Sequence, residues 1–210
     1  MSTILDIIIS MMLGGILLLN VVDAQSIIAE DSSMYRGDVM VQEMLIQQVQ
    51  LMEGEIRNMG YGVPPGVRTI TYAGDSALTF LMDADRDGLI DTVHYDLGPV
   101  SELSRTPNEM DRFIHRTFTS GAAGSTQQTG NIGVVTYFHM IYINGTGDTL
   151  TNPVSAALLG TINEIELSME VQNPQALYRP PGMVQAGQRN ALYSSSYWQQ
   201  TRLASQNFRR

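Results

Sequence analysis

The sequence predicts an α+β protein: a long N-terminal α-helix, greasy in its first half and amphipathic in its second, followed by an antiparallel β-sheet domain. Three observations lead there. Residues 4–22 (ILDIIISMMLGGILLLNVV) are greasy with a single ionisable residue, and residues 23–59 lack proline and carry apolar side chains at helical spacing. Beyond Gly66 the pattern changes to short alternating runs separated by turn-forming residues. The chain therefore divides into a helix over residues 1–59 and a β domain with a polar C-terminal tail over residues 60–210.

Composition narrows the classes of function. With 43% apolar and 16% charged residues in a chain of 210, there is enough material for a buried core, and disorder is excluded. The charged set holds 21 acids against 12 basic residues, and all 12 are Arg. A net charge of −9 argues against nucleic acid as a partner, because phosphate binding draws on clustered cations. The absence of Cys removes disulfides, thiol catalysis and Cys-ligated zinc.

The first element is the helix. Residues 4–22 come close to the length that crosses a bilayer core of about 30 Å. No basic residue precedes this run and the first cation is Arg36, so an uncleaved anchor fits better than a secretory signal. Farther on, Ile27, Ile28, Met34, Val41, Met44, Leu45, Met52 and Ile56 mark one greasy stripe, with Gln48 the single slip. Ser32, Ser33 and Gly37 are its weak points, where two helices in place of one are the alternative. Gly60, Gly62, Pro64 and Pro65 stop it. A helix over residues 2–58 would be ~85 Å long, well beyond the width of a small domain.

The strands follow. Alternation marks residues 67–73, 77–82, 90–97, 112–119, 132–144 and 162–171. Their joints are turn chemistry: Ala73-Gly74-Asp75, Asp87-Gly88, a flexible Gly-rich stretch at 121–130 and Asn144-Gly145-Thr146-Gly147-Asp148. Residues 171–210 hold five Arg and no acid, with Tyr193, Tyr197, Trp198 and Phe208 among them. Such a tail either docks on an acidic surface or closes the sheet as a last strand over residues 193–202.

One acid inside the apolar run demands a reason. A lone carboxylate in hydrocarbon is costly, so Asp6 either pairs with an α-amino group of its own or a neighbouring chain, or sits at the interface using the helix dipole. Here the residues carry a resemblance. Ser2-Thr3-Ile4-Leu5-Asp6 resembles the start of mature type IV pilins and type II secretion pseudopilins, where an acid lies four residues behind the new N-terminus. Ile56-Arg57-Asn58-Met59-Gly60-Tyr61-Gly62 is similar to the helix end of minor pilin-like proteins. Residues 81–97 with Leu103-Ser104-Arg105 resemble their acidic-turn hairpin, and residues 142–150 with 162–171 their closing hairpin.

The resemblance implies a subunit of a pilus-like or pseudopilus filament. Its helix would be held in the inner membrane before assembly, and its β domain would form the outer surface of an extracellular or periplasmic filament. The partners implied are copies of this chain or other pilin-like subunits. Ser2 would be the first mature residue, Asp6 would neutralise an adjacent amine, and Gly14 and Gly15 would be where the helix melts most readily. There are departures: no basic leader precedes Ser2, and no proline stands near residue 22. The rival readings are a membrane-anchored calcium-binding module that never polymerises and a membrane-tethered hydrolase.

A second constellation stands on residue spacing alone. Asp83, Asp85, Asp87 and Asp91 occupy positions one, three, five and nine of an EF-hand-type calcium loop, with Gly88 at six and Leu89 at seven. Alternate acids on a tight turn point inward, and hard oxygens suit Ca²⁺. Position twelve, ordinarily a bidentate Glu, is His94. The histidines His94, His115 and His139 fall in separate strands without convergent spacing. Serines 194–196 have no G-x-S-x-G elbow, and no phosphate-binding Gly loop follows a strand, so the sequence offers no support for an enzyme.

Overall fold

A computed structural model describes residues 2–106, 108–122, 127–173, 196–205 and 207, with main chain only at residues 2, 30, 33 and 34. Helix α1 runs unbroken over Ser2–Asn58, as the periodicity predicts, through the Ser32–Gly37 region without interruption. It ends at Gly60, whose positive φ of 81° turns the chain and lets its N–H donate to the Leu81 carbonyl at 2.9 Å.

Among the described residues nine strands follow, in two antiparallel sheets. The first is a five-stranded meander of β1 (Ile70–Ala73), β2 (Ala77–Met82), β3 (Asp91–Leu97), β4 (Arg112–Thr119) and β5 (Gln128–Val135), paired in chain order. The second comprises β6 (Tyr137–Asn144), β7 (Thr149–Leu150), β8 (Ile162–Gln172) and β9 (Ser196–Ala204), in the order β7-β6-β8-β9. Short 3-10 turns at Val100–Leu103 and Leu159–Thr161 interrupt the loops.

Three sequence expectations need correction. Residues 132–144 read as one strand, yet the run is divided between sheets at Thr136. Val135 pairs with Arg112 in the first sheet, while Tyr137 pairs with Glu170 in the second. Thr136 donates its N–H to the Glu170 carbonyl at 2.9 Å. Alternation reports which residues lie in strands, not which partner each strand takes. Likewise residues 128–130, expected in a flexible loop, pair with Phe118, Thr117 and Arg116. The first strand is shorter than expected, beginning at Ile70 instead of residue 67.

The polar tail also settles. Ser196–Ala204 forms β9 against Glu164–Gln172 of β8, which is the closing-strand reading. It also finds acids: Arg202 lies 2.9 Å from Glu166 and 3.8 Å from Glu164, and Thr201 donates to Glu53 of α1 at 2.8 Å. Leu203 is buried. Arg179, Arg189, Tyr193, Phe208, Arg209 and Arg210 lie outside the described residues.

One continuous core holds helix and sheets together. From α1 it takes Val41, Leu45, Val49, Met52, Ile56 and, just past the helix end, Met59. These pack with Phe80 and Tyr95 of the first sheet and with Met140, Tyr142, Ile165 and Leu167 of the second. Gln48, the slip in the stripe, is buried in the same face and donates to the Val134 carbonyl at 3.4 Å. It fits because residue 133 is glycine: a Cβ there would lie 1.9 Å from Gln48 Nε2.

Candidate functional site

The helix leaves the globular body partway along its length. The greasy stripe becomes buried only from Val41 onward, whereas Ile27 and Ile28, expected on the same stripe, are exposed because nothing packs beside them. Among the described residues, Thr3–Ala29 is the one stretch of helix long and apolar enough to cross a membrane, and none of it is buried within the chain. An apolar surface of this size on a soluble monomer would be anomalous, and marks a site of contact with lipid or protein.

The sequence-derived residues of this segment fall as follows. Ser2 opens the helix and Asp6 is exposed on it, its carbonyl accepting a 2.7 Å hydrogen bond from the Ser10 hydroxyl. The first turn holds no acid, so Asp6 lies past the zone where a helix dipole acts most strongly. Gly14 and Gly15 sit in regular helix, and a Cβ at either would meet open space.

Where the helix meets the body, a polar clamp holds it. Arg116 of β4 donates to Glu55 through Nη2 at 2.7 Å and through Nε at 3.0 and 3.1 Å to the two oxygens. The Tyr95 hydroxyl of β3 donates to the same carboxylate. Burial, reinforced by the Glu55 charge, raises the Tyr95 phenol far above its ordinary range, so it remains a donor. The guanidinium also lies 5.6 Å from the centre of the Phe118 ring. Sequence reasoning missed this group, because nothing local links residues 55, 95 and 116.

The acidic hairpin joins β2 to β3 below the helix end. Asp83, Asp85 and Asp91 each bring one oxygen within 4.8 Å of the others. Asp83 and Asp91 are buried and Asp85 is exposed. Asp83 Oδ2 accepts from Gly88 N–H at 3.1 Å, Asp91 Oδ2 from Ala84 N–H at 2.9 Å, and Asp91 Oδ1 from Gly121 N–H at 3.0 Å. Asp87 stands outside this group; its Oδ1 accepts from Leu89 N–H at 2.8 Å. Leu89 is exposed. Positive φ at Arg86 (64°) and Gly88 (85°) makes the turn. His94, at position twelve, lies 2.8 Å from the Thr79 hydroxyl and is not part of the loop's three-acid group.

Each of the three histidines has an acid partner, and that of His94 is Asp96 at 3.4 Å. His115 bridges Glu102 at 2.8 Å and Asp96 at 3.3 Å, and His139 lies 2.7 Å from Asp75. Asn144-Gly145-Thr146 forms a turn closed by Asp148, whose carboxyl is held below its usual range by the Thr146 hydroxyl and the Asn144 amide.

No protein-family model matches this chain, and neither does any curated protein sequence. Among solved structures, a type IV-like pilin from Thermus thermophilus matches it with a TM-score of 0.53. The match covers 80% of this chain and 96% of that one at 9% identity, so the likeness is one of fold. With its half-exposed apolar helix seated on antiparallel sheets, the chain has a type IV pilin-like fold.

Proposed function

We propose that this chain is a pilin-type subunit that waits in the membrane by its N-terminal helix and then assembles into a filament with copies of itself or with related subunits. The observation that carries this reading is the unburied apolar stretch Thr3–Ala29, continuous with a stem anchored in a folded body. In a membrane that surface meets lipid; in a filament core it meets other helices, and the β domains face outward. The role is structural, not catalytic. Asp6, the sole ionisable residue in 4–22, then has a partner in a neighbouring chain's amine.

The test is negative-stain microscopy of material sheared from cells that make the protein, with gold-labelled antibody against the β domain. Labelled filaments support the reading. A chain found wholly in the membrane fraction as a monomer overturns it in favour of an anchored module. Asp6→Ala should preserve membrane insertion while reducing incorporation into filaments at least tenfold, since a stranded buried charge costs several kcal/mol.

A further inference from the structure

The hairpin between β2 and β3 contains a buried oxygen with nothing to bind. Asp83 is 7% exposed, and its Oδ1 has no hydrogen-bond donor among the described residues. Its other oxygen is occupied by Gly88 N–H. A buried carboxylate oxygen left unpartnered is costly, and native structures keep few of them without an ion or water. Asp85 and Asp91 belong to the same group, one oxygen of each of the three acids lying within 4.8 Å of the others.

The spacing fits one cation. Two oxygens each about 2.4 Å from a single Ca²⁺ can be no more than about 4.8 Å apart. Asp83, Asp85 and Asp91 satisfy that limit among themselves. None of the three forms an ion pair among the described residues; the nearest base in sequence, Arg86, lies 6.0 Å from the centre of the Tyr61 ring. Asp91 already accepts two amide hydrogens, but each carboxylate oxygen keeps a second lone pair for a metal.

We infer that Asp83, Asp85 and Asp91 bind one Ca²⁺ ion, which ties the end of the stem helix to the sheet. Three segments meet there. Asp83 N–H donates to the Tyr61 carbonyl at 2.8 Å, and a Cβ on Gly62 would lie 2.7 Å from Asp83 Cβ. From the other side, Gly121 brings the bend after β4 onto Asp91, so close to Ile90 that a Cβ would stand 2.4 Å from its carbonyl oxygen. Calcium is favoured over magnesium because it accepts irregular oxygen sets with water completing the shell, whereas Mg²⁺ demands a near-ideal octahedron. With three carboxylates and no Glu at position twelve, the affinity belongs to the weak class, on the order of 10⁻⁴–10⁻³ M. This site is independent of whether the chain forms filaments.

The test uses the full chain in detergent micelles, stripped with a chelator and titrated with CaCl₂ by calorimetry and by thermal melting. One binding event is expected, with Tm raised by about 3–6 °C at ten times the dissociation constant. Asp85→Asn and Asp83→Asn should abolish the heat and the Tm shift, while Asp148→Asn, in the exposed turn between β6 and β7, should retain both. Asp83→Asn without Ca²⁺ should melt no lower than the unsubstituted chain, which separates loss of binding from loss of fold. No response to 10-fold excess over the expected range overturns the site. So does binding that survives in both variants, or a Mg²⁺ response as large as that to Ca²⁺.

Discussion

Glu55 on the stem helix and Arg116 on β4, 61 residues apart in sequence, form a two-pronged ion pair with contacts of 2.7–3.1 Å, and the Tyr95 hydroxyl completes it. This contact fixes the rotation of the helix where it enters the body. The apolar stripe alone would tolerate sliding by a turn, but a planar guanidinium meeting a carboxylate through two nitrogens does not.

Removing Glu55 should therefore cost more than removing a surface acid. Glu55→Ala leaves a half-buried guanidinium and a buried phenol without an acceptor, and is expected to destabilise by about 2–3 kcal/mol, at the low side for buried pairs because both side chains retain some exposure. Denaturant unfolding in detergent, followed by near-UV circular dichroism, measures this. A loss within 0.5 kcal/mol of that for Glu43→Ala would show that the clamp contributes nothing.

Gly133→Ala should be destabilising although the residue lies on a strand where alanine is ordinarily tolerated. The added methyl occupies the position of Gln48 Nε2, which would have to leave the Val134 carbonyl while still buried. Overpacking of this kind costs roughly 1–3 kcal/mol. The pair Gln48→Ala with Gly133→Ala should recover part of that loss, and thermal melts of the two variants and the double variant form the cycle.

Asp111 predicts a pH dependence. It is fully buried, neither carboxyl oxygen has a hydrogen-bond partner among the described residues, and burial raises its carboxyl above the usual range, with the nearby Thr106 hydroxyl only partly opposing. The folded state thus holds this proton more tightly than the unfolded chain. The contribution favours folding at acid pH and is lost as pH rises from the unfolded value of about 3.9 through the raised folded value. Asp111→Asn should melt higher than the unsubstituted chain at pH 7, and the difference should shrink towards zero below about pH 4. A difference independent of pH would remove titration from the explanation.

Truncation after Gly182 removes β9, exposing the β8 edge and the pocket filled by Leu203. It also removes the Ser205 hydroxyl that donates to the Met59 carbonyl at 2.6 Å at the helix end. The truncated chain should lose its cooperative thermal transition. A normal melt combined with failure to assemble would instead make the tail an element of subunit contact.

By itself the sequence determined the elements. The helix over residues 2–58, β2 over 77–82 and β4 over 112–119 follow from periods of 3.6 and two, which neighbouring residues carry locally. The acidic loop is equally legible, because the spacing of its acids is a property of one short turn. Tertiary structure alone decided the rest. It divided residues 132–144 between two sheets at Thr136, seated Gln48 over Gly133 and joined Glu55 to Arg116. It also selected Asp83, Asp85 and Asp91 from the acids of the loop and left Asp87 to cap its own turn. Each of those outcomes depends on a partner tens of residues away or on which side of a turn faces the interior. Local periodicity records which side chains share a face, but carries no information about what covers that face or which atom each side chain meets.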